Sequence, residues 1–231
     1  MMFTSKRRLA IVCAMITICF WMPSVAGSEG GAIRKADRAE TWEFFLPLTY
    51  AVDATIKGKG GSSADLNADF GFGFGVGYNF NDHIQLSGLF QWNSRSYDAT
   101  VVGDDGSTSR YGNTMEISTM ALNGTYYFLD GNLTPFLSGM LGYTWVDTNI
   151  QNGPPTGYCW YDPWWGYICS YYVPTKIESS MAYGAGLGAR YDFNDSFSMQ
   201  CSYNKSWMDF GNVSGTPDFD IWRLDFIFRM F

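Results

Sequence analysis

The chain has 231 residues, of which 46% are hydrophobic and 18% aromatic, with a net charge of −7. The acidic balance argues against nucleic acid or another polyanion as a partner. Beyond Ala26 no apolar run reaches the ~20 residues of a membrane helix. A membrane-spanning form of this chain must therefore be a closed β-barrel.

The first element reads as an export signal. Lys6, Arg7 and Arg8 form a basic start, Leu9 to Met22 are nearly all apolar, and Ser24-Val25-Ala26 supplies the small residues of a cleavage site. Residues 1–26 are expected to be a signal peptide cut after Ala26. Cys13 and Cys19 leave with it, while Cys159, Cys169 and Cys201 remain in a disulfide-permissive setting. Residues 27–40 read as a polar periplasmic lead-in, with a helical turn or two over 33–40.

From Thr41 the hydropathy pattern has the period of two that belongs to a β-strand. It is clearest from Leu66 to Phe80. One face carries Phe70, Phe72, Phe74, Val76, Tyr78 and Phe80, and the other carries Asp69, Gly71, Gly73, Gly75, Gly77 and Asn79. Eight strands are predicted, at 42–56, 66–80, 83–97, 115–129, 133–148, 177–193, 196–210 and 219–231. Three connections are tight: Asn81-Asp82, Asp130-Gly131-Asn132 and Asn194-Asp195. Asn, Asp and Gly tolerate the positive φ of hairpin turns. The connections at 57–65, 98–114, 149–176 and 211–218 are longer. Short turns at one end and long loops at the other fit an all-β, eight-stranded antiparallel up-and-down transmembrane barrel over 41–231. Pro47 predicts a bulge or an early barrel rim, because a closed barrel has no edge to absorb a missing N–H.

Tyr78-Asn79-Phe80-Asn81-Asp82 recurs as Tyr191-Asp192-Phe193-Asn194-Asp195, and more loosely as Tyr126-Tyr127-Phe128-Leu129-Asp130. Each copy places two same-face aromatics just before a turn, as an inner interfacial girdle requires. With the signal, these turns, the segment Leu133-Thr134-Pro135-Phe136 and the terminal Phe231, the chain resembles the small eight-stranded outer-membrane barrels of the OmpA-like and OmpW-like superfamily. The resemblance implies the outer membrane of a Gram-negative-type bacterium, with lipid bilayer and lipopolysaccharide as surroundings. It also implies delivery by the barrel assembly machinery through the last strand, which ends in Phe231. No peptidoglycan-binding domain follows the barrel, so an OmpA-like anchoring role is not expected. Phe231 departs from the outward parity of Trp222, Leu224, Phe226, Phe228 and Met230, which predicts a bulge near the end or a frayed last residue.

An eight-stranded lumen is only just wide enough for its own side chains. The bulky apolar sets, Phe70, Phe72, Phe74, Leu122, Tyr126, Leu141 and Trp222 among them, cannot all fit inside. They are assigned to lipid, against the rival reading of a soluble lipocalin-like barrel. The opposite parity sends Glu43, Asp53, Asp69, Arg95, Arg190, Asp192, Arg223, Asp225 and Arg229 into the lumen, beside glycines that leave room for long polar neighbours. Both signs are present, and charges away from water need partners. An ion-paired network plugging the barrel is therefore expected.

Catalytic residues are not found. The single histidine, His83, follows a periplasmic turn, and no Cys/His set has metal-ligand spacing. No enzyme activity, cofactor or metal is expected. The third outer loop is different. It carries Tyr158, Trp160, Tyr161, Trp164, Trp165, Tyr167, Tyr171 and Tyr172 around Asp162-Pro163 and Gly166, with Cys159 and Cys169 nearly symmetric about that turn. An extended hairpin stapled by a Cys159–Cys169 disulfide is predicted, with Cys201 left free. Exposed aromatics on a rigid loop mark a contact surface, here for a glycan, lipopolysaccharide or a partner protein. The alternative is a hairpin folded over the barrel mouth or extending the outer girdle. Two functions follow. One is a structural or narrow-pore protein, possible for small solutes by resemblance to OmpW-like barrels. The other is a surface adhesin or binding protein using loop 149–176.

Overall fold

The structure is a computed structural model and describes residues 37–102, 106–209 and 216–230. The expected signal peptide, residues 27–36 of the lead-in and Phe231 lie outside the described residues. In chain order the strands are β1 (Thr41–Ala51), β2 (Ala54–Lys57), β3 (Ser63–Leu66), β4 (Asp69–Asn79), β5 (Ile84–Val102), β6 (Thr108–Tyr127), β7 (Leu133–Gln151), β8 (Thr156–Asp162), β9 (Gly166–Tyr172), β10 (Thr175–Asp192), β11 (Phe197–Met208) and β12 (Asp218–Met230).

Eight of these close a ring of antiparallel pairs. β1 pairs with β4, and the sequence continues through β5, β6, β7, β10, β11 and β12. β12 then returns to β1. β2 and β3 form a hairpin that extends β1 and β4 outward, and β8 and β9 form a separate hairpin in the third outer loop.

Several boundaries differ from the sequence reading. The first two predicted strands each break once, at Val52-Asp53 and at Asn67-Ala68. The connection expected at 98–114 is mostly strand, because β5 and β6 stay paired out to Val102↔Thr108. Polar residues fill this stretch, so the ladder continues where the hydropathy period fades. Pro47 makes no bulge. The register to β4 is the same at Phe45↔Gly75 and at Leu48↔Phe72, and the ladder only lapses between them. The missing N–H of proline is met by a gap in one ladder, while the β12 pairing Pro47↔Asp225 persists. The register from Ala51↔Ile221 to Trp42↔Met230 is also unbroken, so the bulge expected near the end is absent up to Met230.

The repeated turns owe their shape to asparagine. Asn81 Oδ1 accepts from the His83 and Ile84 amides at 2.8 Å, and Asn194 Oδ1 accepts from the Ser196 and Phe197 amides at 2.9 and 2.8 Å. Each side chain satisfies two amides that a hairpin turn leaves open. Beside them the same-face aromatics meet, Tyr78 with Phe80 at 5.2 Å, Tyr126 with Phe128 at 5.4 Å and Tyr191 with Phe193 at 4.7 Å. A second set lies toward the outer end, with Phe72 against Trp92 at 4.4 Å and Tyr203 against Trp222 at 5.2 Å. These are the two belts of a membrane barrel.

Outward residues such as Phe72, Leu122, Leu137 and Leu187 are exposed, while the opposite parity is buried. Some inward glycines make room for polar side chains, as expected: a Cβ on Gly71 would lie 2.7 Å from Thr49 Oγ1, and one on Gly186 would lie 2.9 Å from Ser138 Oγ. Others make room for apolar rings. A Cβ on Gly77 would lie 2.8 Å from the Phe45 ring, and one on Gly188 would lie 2.7 Å from the Phe136 ring. Apolar rings inside the barrel take that space.

Candidate functional site

The lumen has three levels. At the periplasmic end, inward positions of β1, β6 and β10 bring Glu43, Tyr127, Arg190 and Asp192 together. Arg190 donates to both Glu43 oxygens, Nη1 to Oε2 at 2.9 Å and Nη2 to Oε1 at 2.7 Å. Its Nε donates to Asp192 Oδ1 at 2.8 Å, and its Nη1 to the Tyr127 hydroxyl at 3.1 Å. Gln85 completes Glu43 by donating to Oε2 at 2.7 Å. A bidentate pair with its remaining donors satisfied is the arrangement that tolerates burial.

Arg38, from the lead-in, enters the same level and is fully buried. Its Nε donates to Asp192 Oδ2 at 2.9 Å, its Nη1 to the Asp82 carbonyl at 2.9 Å, and its Nη2 to the Gly131 carbonyl at 2.6 Å. Two guanidinium carbons lie over the Tyr127 ring, Arg38 at 5.1 Å and Arg190 at 5.3 Å, within cation–π range.

The middle level holds two small cavities of about 60 and 50 Å³, both lined by Thr49, Gln91 and Thr119. Among the described residues, Gln91 Nε2, Ser138 Oγ and Ser206 Oγ are buried there without a hydrogen-bond partner. Such spaces suit a few waters and are far below the ~300 Å³ of a ligand pocket. The outer level is apolar. Leu66, Tyr97, Met115, Val146, Ala182, Met208 and Phe219 pack into one buried cluster from the outer ends of the strands.

The nine charged residues assigned to the lumen are therefore not one network. Glu43, Arg190 and Asp192 meet, with Arg229 Nη2 at 3.7 Å from Glu43. Arg223 and Asp225 pair at 3.0 Å, and Gln200, which donates to the same Asp225 oxygen, accepts from the Tyr127 hydroxyl at 3.5 Å. Asp53 and Asp69 stand at the outer rim, where they accept from the Ala68 and Phe70 amides. Arg95 is buried but donates to the Val52 and Asn67 carbonyls at 2.6 and 3.0 Å. Those carbonyls are freed by the two strand breaks, so Arg95 repairs the ladder there. The sequence reading missed Arg38 and Tyr127. Tyr127 shares the inward parity of Asn123 and Thr125 and was legible on that ground. Arg38 lies before any periodicity and carried no such signal.

The outer loop forms the hairpin β8–β9, with Cys159 opposite Cys169 and a disulfide between them. At its tip Asp162 Oδ1 accepts from the Trp164 and Trp165 amides at 2.8 and 2.9 Å, and Gly166 closes the turn at φ +77°. Tyr161, Tyr167 and Tyr171 share the disulfide face, while Tyr158 stacks on Trp160 at 5.5 Å on the other. Tyr172 lies on that second face. All eight aromatics are exposed, Trp164 at 87% and Trp165 at 81%. Cys201, expected as a free thiol, is half-buried on β11. His83 sits at the periplasmic rim, bridging the Tyr127 carbonyl and Asp130.

An antiparallel ring with an apolar exterior, two aromatic belts and a filled interior defines a transmembrane β-barrel. A family model described as the outer membrane protein beta-barrel domain matches residues 39–228, and the chain belongs to that family. It is accordingly a Gram-negative outer-membrane protein whose wall meets the lipid bilayer. Among solved structures it is similar to neisserial surface protein A, at 14% identity over 82% of this chain and 96% of that one, with a TM-score of 0.47. It is also similar to the outer membrane protein OprG from Pseudomonas aeruginosa, at 14% identity over 85% and 98%, with a TM-score of 0.49. A third is the attachment invasion locus protein Ail of Yersinia pestis, in complex with the heparin analogue sucrose octasulfate. It shows 15% identity over 83% and 99%, with a TM-score of 0.45. Among curated proteins none matches the chain.

Proposed function

We propose that the chain is a closed outer-membrane scaffold that presents the β8–β9 hairpin as a surface-binding element. The observation that carries this reading is a contrast within one molecule. The lumen is filled at both ends with only water-sized cavities between, whereas the tip tryptophans are more than four-fifths exposed on a stapled hairpin. Exposed Trp and Tyr are costly in water and supply large, rigid contact area to a partner. Between Tyr158 and Tyr172 the sequence has no Lys or Arg, and its one carboxylate, Asp162, is engaged in the turn. That chemistry favours a neutral glycan or an uncharged protein patch over a sulfated or phosphorylated ligand.

In this reading residues 1–26 are removed as a signal peptide and 27–40 form the periplasmic lead-in. Lipopolysaccharide surrounds the outer belt, and the assembly machinery engages β12. A narrow pore is the second reading, favoured by the polar middle level around Gln91, Ser138 and Ser206. The test of the first is binding of the refolded barrel to an array of neutral and sulfated glycans and to cultured cells. Trp164→Ala with Trp165→Ala is expected to lower binding at least tenfold without changing the barrel's unfolding temperature. Equal binding by that variant would remove the hairpin from the account.

A further inference from the structure

The periplasmic end of the barrel is built around a guanidinium that the barrel strands do not own. Arg38 lies before β1, in residues that belong to no strand. Its side chain is fully buried and meets the turn between β4 and β5, the turn between β6 and β7, and the end of β10. Two carbonyls, Asp82 and Gly131, accept from its two terminal nitrogens, and Leu129 O lies at 3.4 and 3.5 Å from the same pair. Asp192 takes the Nε proton, and Tyr127 offers its ring face. Carbonyls, a carboxylate and an aromatic face converge on a planar fork of donors. Such a set matches a guanidinium and not a single-point ammonium.

The walls of this site do not depend on Arg38 for their position. Phe80 and Ile84, Phe128 and Pro135, and Asp192 and Asn132 are joined by backbone hydrogen bonds across the turns. Arg38 itself is held by polar contacts and the Tyr127 ring, the former including its amide and that of Ala39 to Asp82 Oδ1 at 3.0 and 3.2 Å. Withdrawing residues 37 and 38 breaks no strand ladder. It leaves one oxygen of the buried Asp192 carboxylate without the donor it has from Arg38.

We propose that the periplasmic mouth is a guanidinium-binding site, filled in cis by Arg38 and able to take an alkylguanidinium, such as the arginine side chain of a periplasmic peptide, when Arg38 is withdrawn. The site does not rest on the surface-binding reading of the outer hairpin, which lies at the opposite end.

The test is chemical rescue of Arg38→Ala in the full mature barrel, refolded in detergent. Its unfolding temperature is followed by gel mobility with ethylguanidinium or ethylammonium added at equal millimolar concentrations. The expected result is a lower unfolding temperature than the native chain, restored along a saturating curve by ethylguanidinium and not by ethylammonium. The native chain, its site already filled, should show no such curve. A variant that responds equally to both cations, or to neither, overturns the proposal. If Arg38→Ala refolds poorly, the yield becomes the readout. A severalfold higher yield with ethylguanidinium than with ethylammonium supports the site, and equal yields overturn it. Arg38→Lys, which keeps the charge without the fork, should also be less stable than the native chain.

Discussion

Arg190 is the residue on which the periplasmic level turns. It touches Glu43, Asp192, Tyr127 and Ser198, and none of its surface is exposed. Replacing both members of a buried ion pair by apolar groups can be neutral, whereas removing one member leaves an uncompensated charge at a cost of roughly 3–5 kcal/mol. Arg190→Ala strands the Glu43 carboxylate, which keeps Gln85, Asn79 and a distant Arg229 as partners. The variant is expected to unfold at clearly lower urea concentration than the native barrel, with a loss of that size read from refolding in vesicles. Arg190→Lys should recover only part of it, because an ammonium cannot bridge both Glu43 oxygens. An unchanged midpoint for Arg190→Ala would mean that the pair contributes nothing to stability.

At the scale of the element, the hairpin β8–β9 is a two-stranded sheet that pairs with no barrel strand. A hairpin of this kind is marginal in water by itself. Its disulfide closes a sequence separation of 10 residues, which stabilises it by about 3 kcal/mol on the chain-entropy model. Reduction, or Cys159→Ser with Cys169→Ser, should therefore loosen the hairpin and leave the barrel intact. The expected outcome is rapid proteolytic cutting between Tyr158 and Tyr172 with an unchanged unfolding temperature; a hairpin that stays resistant when reduced would show that its aromatics, not its disulfide, hold it. This element was legible in the sequence because its turn residues and cysteines are local. The repeated Asn turns were legible for the same reason, since each satisfies amides two and three residues away. The extension of β5 and β6 was not, because pairing beyond the membrane needs no hydrophobic period. Arg38 was not legible either. Its partners Asp82, Gly131 and Asp192 are separated from it by 44 residues or more and meet only when the ring closes.

For the whole molecule the question is whether a path crosses the barrel. Parity predicted a polar lumen plugged by an ion-paired network. Instead, the interior changes character along its axis. Ion pairs fill the periplasmic end, water-sized cavities lie in the middle, and Tyr97, Met115, Met208 and Phe219 close the outer end. Two seals of different chemistry in series have a consequence that one seal would not. Breaking the polar one by Arg190→Ala opens only the periplasmic half, because the apolar cluster shares no residue with it. The native barrel in a planar bilayer is therefore expected to be silent, and Arg190→Ala is expected to be silent as well. Reduction should not change this, since the outer seal is made by the barrel strands and not by the stapled hairpin. Discrete openings of the native barrel would overturn the closed-scaffold reading and restore the narrow pore. Openings confined to the reduced protein would make the hairpin a lid, which its exposed aromatics argue against. Openings confined to Arg190→Ala would show that the apolar cluster yields once the network beneath it is cut, so that the two seals are one cooperative unit.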